Sequence, residues 1–377
     1  MPSSSWPRSC IQSCSRKDTL MDRGIAEGNT SRMSAIARRR ALVLLGLVLL
    51  LASSVFVAIF IGTLGPIGPG DPFRISFGEA FEAVFGGTGE WSAIFWDVRI
   101  PRVLLAALVG AALACAGTAM QAVFRNPLAD PYIIGVSSGA ALGAAAAGLL
   151  GLTAAVASFL PPAFAFGTAL LTVFTVYFLG TSKGRVQVDT LLLSGVAVAA
   201  FLGAVVSFLI YFAKEQFHQL IFWLLGSLSL ASWDVVAVIF VAVVAGAFII
   251  FLHGRDLNVL LLGEETAHNL GINPERLKKL MLGVAALVTA AAVAFTGIIG
   301  FVGLIVPHMM RLLLGADHRL LVPASTLFGA TFLIWSDALA RTIVAPTELP
   351  VGIITAMCGG PFFIYLLRRS RAGGEQP

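Results

Sequence analysis

Residues 280–314 read LMLGVAALVTAAAVAFTGIIGFVGLIVPHMMRLLL, a stretch whose one charged side chain is Arg311. A helix rises about 1.5 Å per residue, so a single helix here would reach roughly 50 Å. The hydrocarbon core of a bilayer is only about 30 Å thick. The middle, Thr296-Gly297-Ile298-Ile299-Gly300-Phe301-Val302-Gly303, sets three glycines at three-residue spacing. Glycine reverses a chain at the lowest steric cost, so the stretch reads as two membrane spans joined by a turn.

Outward from it, seven further runs come close to the about 20 apolar residues a crossing needs: 41–63, 101–123, 160–180, 190–212, 234–252, 320–343 and 350–367. The Ala- and Gly-rich run 133–157 is an eighth, and small residues of this kind suit close helix packing in lipid. With the pair in 280–314 the total is ten. Composition agrees: 58% of the 377 residues are hydrophobic and 12% charged, with a mean hydropathy of +0.90. A soluble domain carries roughly 25% charged residues. The expected fold is an all-α, polytopic transmembrane bundle.

The net charge of +5 does not point to nucleic acid, because the basic residues lie between apolar runs instead of forming a patch. Lys and Arg accumulate on the cytoplasmic side of a membrane protein. Arg38, Arg39 and Arg40 abut the first span and place the N-terminus inside; ten spans then place Arg368, Arg369 and Arg371 inside too, with both termini cytoplasmic. Nine spans would put the second cluster outside. Five basic residues remain on the outer side: Arg74, Arg99, Arg102, Lys214 and Arg341. For Arg99, Arg102 and Arg341 alone, at span ends, the bland reading is snorkelling to lipid headgroups.

Residues 1–40 are Ser- and Arg-rich without apolar periodicity and read as a disordered cytoplasmic tail, with Met33 as an alternative start. Cys10, Cys14, Cys115 and Cys358 are too scattered for a disulfide framework, and the latter two read as small core residues within apolar runs.

No G-x-x-x-x-G-K-[ST] phosphate loop is present; Gly180-Thr181-Ser182-Lys183-Gly184 lacks the spacing. Most spans also lack the acidic residues that an ion-coupled secondary transporter needs. Asp337, inside the ninth span, is the main exception, and it stands four residues before Arg341, where the two can pair on one helix face. Gly135-Val136-Ser137-Ser138-Gly139 matches G-x-S-x-G, and His308 after Pro307 could serve as a base. The nucleophile elbow needs a strand before the serine, however, and this pattern opens an apolar helix. Tight backbone packing is the plainer reading. The five histidines show no metal-ligand spacing.

The segment 253–279, HGRDLNVLLLGEETAHNLGINPERLKK, is the longest cytoplasmic stretch after the tail. Leu257, Leu260 and Leu261 share a helical face. Residues 264–270 form a short polar helix that Gly271 ends. Asn273-Pro274 restarts a helix, with Arg276, Lys278 and Lys279 at the inner interface. Two short amphipathic helices outside the membrane suit a soluble partner; an ordered loop is the alternative.

Arg99-Ile100-Pro101-Arg102, GAALACAGTAMQAVFRNPLADPYIIGVSSGA (110–140), LLLGEETAHNLGI (260–272), GFVGLIVPHMMR (300–311), Ala316-Asp317-His318-Arg319 and Glu348-Leu349-Pro350-Val351-Gly352 together resemble the permease subunit of type II ABC importers for ferric siderophores, haem or cobalamin. The resemblance covers about 41–370 as one permease domain, leaving 371–377 as a C-terminal tail. It implies a homodimer in the bacterial inner membrane, two cytoplasmic ATPase subunits that bind ATP-Mg, and a periplasmic binding protein. The chain itself would then be no enzyme and hold no cofactor or metal, and lipid would be its other neighbour. By the same resemblance Arg99, Arg102 and Arg341 dock the binding protein. Segment 256–271, with Leu260, Gly263, Glu264, Glu265, Thr266, Ala267 and Gly271, forms the coupling helices for the ATPase. Val188, Asp189 and Thr190 occupy the gate at the start of the fifth span, where the cobalamin member has small hydroxyl residues; the departure favours an iron chelate over the cobalamin alternative. Asn126, Pro127, Pro307, His308 and Asp337 are structural.

Overall fold

The computed structural model describes residues 37–61, 77–87, 90–152, 159–182, 184–212, 217–344 and 347–372. The tail 1–36 with Met33, Cys10 and Cys14, the outer residues Arg74 and Lys214, and the last five residues of the C-terminal tail lie outside that set. The chain divides at Leu49. The described part of the first unit, 37–49, is helical throughout, and residues from Leu50 onward form the second unit.

Among the described residues seven helices are long and apolar enough to cross a membrane. They are α1 (Ala37–Phe60), α3 (Trp91–Val123), α5 (Leu160–Leu179), α6 (Val188–Phe212), α8 (Trp233–Leu252), α11 (Pro274–Thr296) and α13 (His318–Thr342). Three shorter apolar helices complete the ten: α4 (Val136–Leu149), α12 (Val302–Leu314) and α14 (Val351–Ala372), the last apolar as far as Tyr365. Short elements join them: α2 (Phe77–Phe85), α7 (Phe217–Leu224), α9 (Gly254–Leu261), α10 (Glu264–Asn269), and a two-stranded hairpin of β1 (Thr181–Ser182) and β2 (Arg185–Val186). The protein is a multi-pass, all-helical membrane bundle.

Helix α3 is the axis of the second unit, with 83% of its most apolar window buried. Its small residues make that position feasible. A Cβ added to Gly117 would stand 1.9 Å from the carbonyl oxygen of Gly303, and one added to Gly110 would stand 2.2 Å from that of Gly329. Here α12 and α13 meet α3 backbone to backbone, as small residues permit in lipid.

The glycine-rich turn expected in 296–303 is present: α11 stops at Thr296, Gly297 takes φ +70°, and α12 begins at Val302. Its position is the surprise. A Cβ added to Gly303 would clash with the carbonyl of Leu113 and the ring of Pro131, so the turn is sunk against the middle of α3. Irregular backbone is tolerated at such depth only where protein satisfies it. The Tyr132 hydroxyl donates to the Ile299 carbonyl at 3.0 Å, and Gln121 Nε2 donates to the Leu304 carbonyl at 3.0 Å. Phe301, left-handed at φ +69°, is held with its ring against Gly359 of α14.

Two expectations need correction. In the described part of the run 133–157, up to residue 152, the α-helix covers Val136–Leu149, because a 3₁₀ turn at Pro131–Ile134 and left-handed Gly135 (φ +85°) delay its start. Cys358 is exposed on α14, whereas Cys115 is buried in the core as expected.

Candidate functional site

The sequence-predicted residues gather into two charged clusters at opposite ends of the bundle. At the outer end, the first turns of α3 include a π-helical stretch, Ile94–Arg99, that leads into Pro101. Just beyond it Arg102 meets α13, while Arg99 at its end meets the last carbonyls of α1; such turns occur often at functional sites. Arg102 is 9% exposed, and each of its guanidinium nitrogens is bonded to a carboxylate. Nε donates to both Asp337 oxygens at 3.1 and 3.2 Å, Nη2 donates to Oδ1 at 2.9 Å, and Nη1 donates to Glu348 Oε2 at 2.7 Å. The i,i+4 pair read from sequence is formed too, with Arg341 Nε 3.0 Å from Asp337 Oδ2.

Asp337, 1% exposed, thus serves two arginines. Among the described residues no carboxylate is bonded to Arg99; its Nη1 donates to the Ile61 and Ile59 carbonyls at 3.0 and 3.5 Å, and its guanidinium lies 5.3 Å from the Phe95 ring centre. Arg341 reaches the same helix end, Ala58 and Ile61. Two cations on the last carbonyls of α1 complement the negative end of its dipole. Among the described residues three positive charges meet two negative ones here, a surplus of one positive charge. The arginines are knitted into the protein, and the snorkelling alternative does not describe them.

At the inner end, the two short helices expected in 253–279 are α9 and α10. Leu257 and Leu260 are fully buried, as is Ala267. Gly263 (φ +125°) separates the helices and Gly271 (φ +85°) ends the second, with the Ile272 N–H returning to the Ala267 carbonyl at 3.0 Å. The buried faces fix a platform whose other side presents Leu262, Leu270, Glu264, Glu265 and Thr266. Asn258, which sequence reasoning passed over, pins α9 to the start of α13. It donates to Asp317 Oδ1 at 2.7 Å and accepts the His318 N–H at 2.8 Å. That contact explains why Ala316-Asp317-His318-Arg319 stood out.

Lys278 is not at the interface as expected. It is 1% exposed and bonded to Glu264, Glu275 and the carbonyl of Val186, whereas Arg276 and Lys279 are exposed. Val188, Asp189 and Thr190 form the first turn of α6 directly after the hairpin; Val188 is half-buried and the other two are exposed. Asn126 makes a local turn, its Oδ1 accepting the Leu128 N–H at 2.9 Å ahead of half-buried Pro127. Pro307 is buried inside α12, and the half-buried His308 packs edge-on to Phe362.

The G-x-S-x-G stretch lies in a helix entered from a 3₁₀ turn, not from a strand. Its Gly139, and Gly143 one turn on, lie against Thr172 and Thr168 of α5, so close that a Cβ on either would clash. This is the packing role expected of the small residues.

The FecCD transport family profile matches residues 47–369. The cobalamin import system permease protein BtuC of Halobacterium salinarum is 50% identical over 284 residues, 75% of this chain and 76% of that one. The hemin transport system permease protein HmuU of Yersinia pestis is 43% identical over 286 residues, 74% of this chain and 84% of that one. Among solved structures, an ABC transporter classed as metal-chelate type, in an inward-facing conformation, superposes with a TM-score of 0.74 at 32% identity, covering 87% of this chain and 99% of that one.

Proposed function

The chain belongs to the FecCD transport family, and on that premise we propose that it is the translocation subunit of an ATP-driven importer that carries a metal chelate inward across the cytoplasmic membrane. The observation that carries this reading is the platform α9–α10: two short helices, buried on one face and open on the other, on a chain without a phosphate loop. Hydrolysis then belongs to a separate ATPase seated on that platform. The surplus positive charge of the outer cluster supports the complementary role for Arg99, Arg102 and Arg341, docking an acidic surface of a periplasmic binding protein. A homodimer with the pathway between its copies completes the assembly. Closure of the ATPases pushes α9 and α10, and the bundle opens alternately to each side.

For the cargo, relatives named for hemin and for iron chelatin support an iron chelate. Cobalamin is the second reading, favoured by the 50% identical archaeal relative. The chelate retained by the cognate binding protein decides between them. Transport in proteoliposomes tests the reading itself: uptake is expected to need the ATPase subunit and ATP, and uptake driven by a pH gradient alone would overturn it.

A further inference from the structure

Lys278 is the one lysine among the largest fully buried side chains, and neither docking nor packing requires an ammonium there. Its Nζ is 3.2 Å from Glu264 Oε2 on the platform helix α10 and 2.5 Å from Glu275 Oε1 on its own helix α11. The same atom donates to the Val186 carbonyl of β2 at 3.1 Å. Glu275 Oε2 in turn accepts the Val186 N–H at 2.8 Å. Both backbone polar groups of Val186 are therefore gripped by the pair Lys278–Glu275, and Lys279 adds a bond to the Gly184 carbonyl at 3.2 Å. Val186 stands two residues before α6, whose first turn carries Val188, Asp189 and Thr190.

A methionine or leucine would fill this space without desolvating a charge, and buried charges persist where they are paired and bonded. The ammonium joins three segments: the platform at 264, the helix at 278 that follows it, and the hairpin at 186, 92 residues earlier. We infer that Lys278 is the positioning residue that transmits movement of the ATPase-facing platform to the gate end of α6, through Glu264 on one side and the Val186 backbone on the other. A displacement of α10 moves Glu264, which draws the ammonium and the Glu275 paired with it, and the hairpin moves with them because both polar groups of Val186 are bonded to that pair. This inference rests on the importer reading above.

The test uses the complete complex of permease, ATPase and binding protein in proteoliposomes. Two quantities are measured: ATP hydrolysed per chelate imported, and the rate at which Asp189→Cys reacts with a water-soluble maleimide with and without ATP. Lys278→Met is expected to keep the ATPase subunit bound, to raise ATP used per chelate by about tenfold, in the range of ordinary coupling energies, and to remove the effect of ATP on labelling. Lys278→Arg is expected to retain both. The Met variant leaves Glu275 and Glu264 partly open to water, at 25% and 47% side-chain exposure. If it nevertheless fails to accumulate, Lys278→Met with Glu275→Gln is read in the same way. A Met variant coupled and labelled like the wild type overturns the inference alone. So does loss of the ATPase subunit, which would make the lysine a docking residue, or failure of both variants to fold. A wild-type complex that imports without ATP overturns the importer reading and this inference with it.

Discussion

Asp337→Asn is the perturbation that weighs most on the outer cluster. The carboxylate is 1% exposed and takes three bonds from Arg102 and an ion pair from Arg341. Asparagine keeps the shape but replaces one acceptor by a donor aimed at a guanidinium. Removing one partner of a buried ion pair costs about 3–5 kcal/mol, because the other charge stays desolvated. Two arginine side chains, 10% and 9% exposed, lose their shared counter-ion together, while Arg102 keeps Glu348, which points to the middle of that range. At about 1.4 kcal/mol per factor of ten, the folded-to-unfolded ratio falls by roughly three decades. Glu348 gives the contrast. It also binds Arg102, at 2.7 Å, but is 46% exposed, so Glu348→Gln should cost at most about 1 kcal/mol. Adding Arg341→Met to Asp337→Asn removes one orphaned cation and should recover part of the loss. The assay is SDS-titrated unfolding of the purified permease in bicelles, read by tryptophan fluorescence. Equal costs for Asp337→Asn and Glu348→Gln would refute the assignment of Asp337 as the shared counter-ion.

Arg99 is the docking arginine to reverse, since it gives up only carbonyl bonds and a ring contact; Arg99→Glu should abolish stimulation of ATP hydrolysis by the binding protein, as titration of the complex would show. Gly271→Ala forces a side chain to φ +85°, at about 1–2 kcal/mol for a left-handed residue, and should lower the yield of ATPase that co-purifies. Gly117→Ala sets a methyl against the Gly303 carbonyl and should cost about 3 kcal/mol or more, whereas Gly283→Ala, with nothing within 4 Å, should be neutral; membrane accumulation of the two variants compares them. Ser137→Ala should leave uptake intact and the protein unlabelled by serine-reactive probes.

What was legible in the sequence was local. The turn at 296–303 could be read because its three glycines lie within seven residues, and the Asp337–Arg341 pair because i,i+4 is fixed by helix geometry. The end of α10 could be read because Gly271 and Asn273 act on their own neighbours. The depth of the glycine turn could not, since it depends on the hydroxyl of Tyr132, 167 residues away from Ile299. A membrane chain shows where an awkward group lies and what leaving it unpaired would cost, but the partner is a tertiary fact. Arg102 illustrates this at the outer end: as a lone arginine at a span end it suits snorkelling, and only folding brings Asp337, 235 residues on, against it. Lys278 is the inner counterpart. In Asn273-Pro274-Glu275-Arg276-Leu277-Lys278-Lys279 the two lysines look equivalent, yet Lys279 is exposed while Lys278 is buried in a bed of two carboxylates and a backbone carbonyl. Neighbours 100° apart on a helix differ in environment by rotation alone. The face that turns inward is fixed by Leu277 and Met281, which flank Lys278 on the buried side. That apolar stripe draws the lysine into the core, and the two glutamates there determine that it is an ion pair.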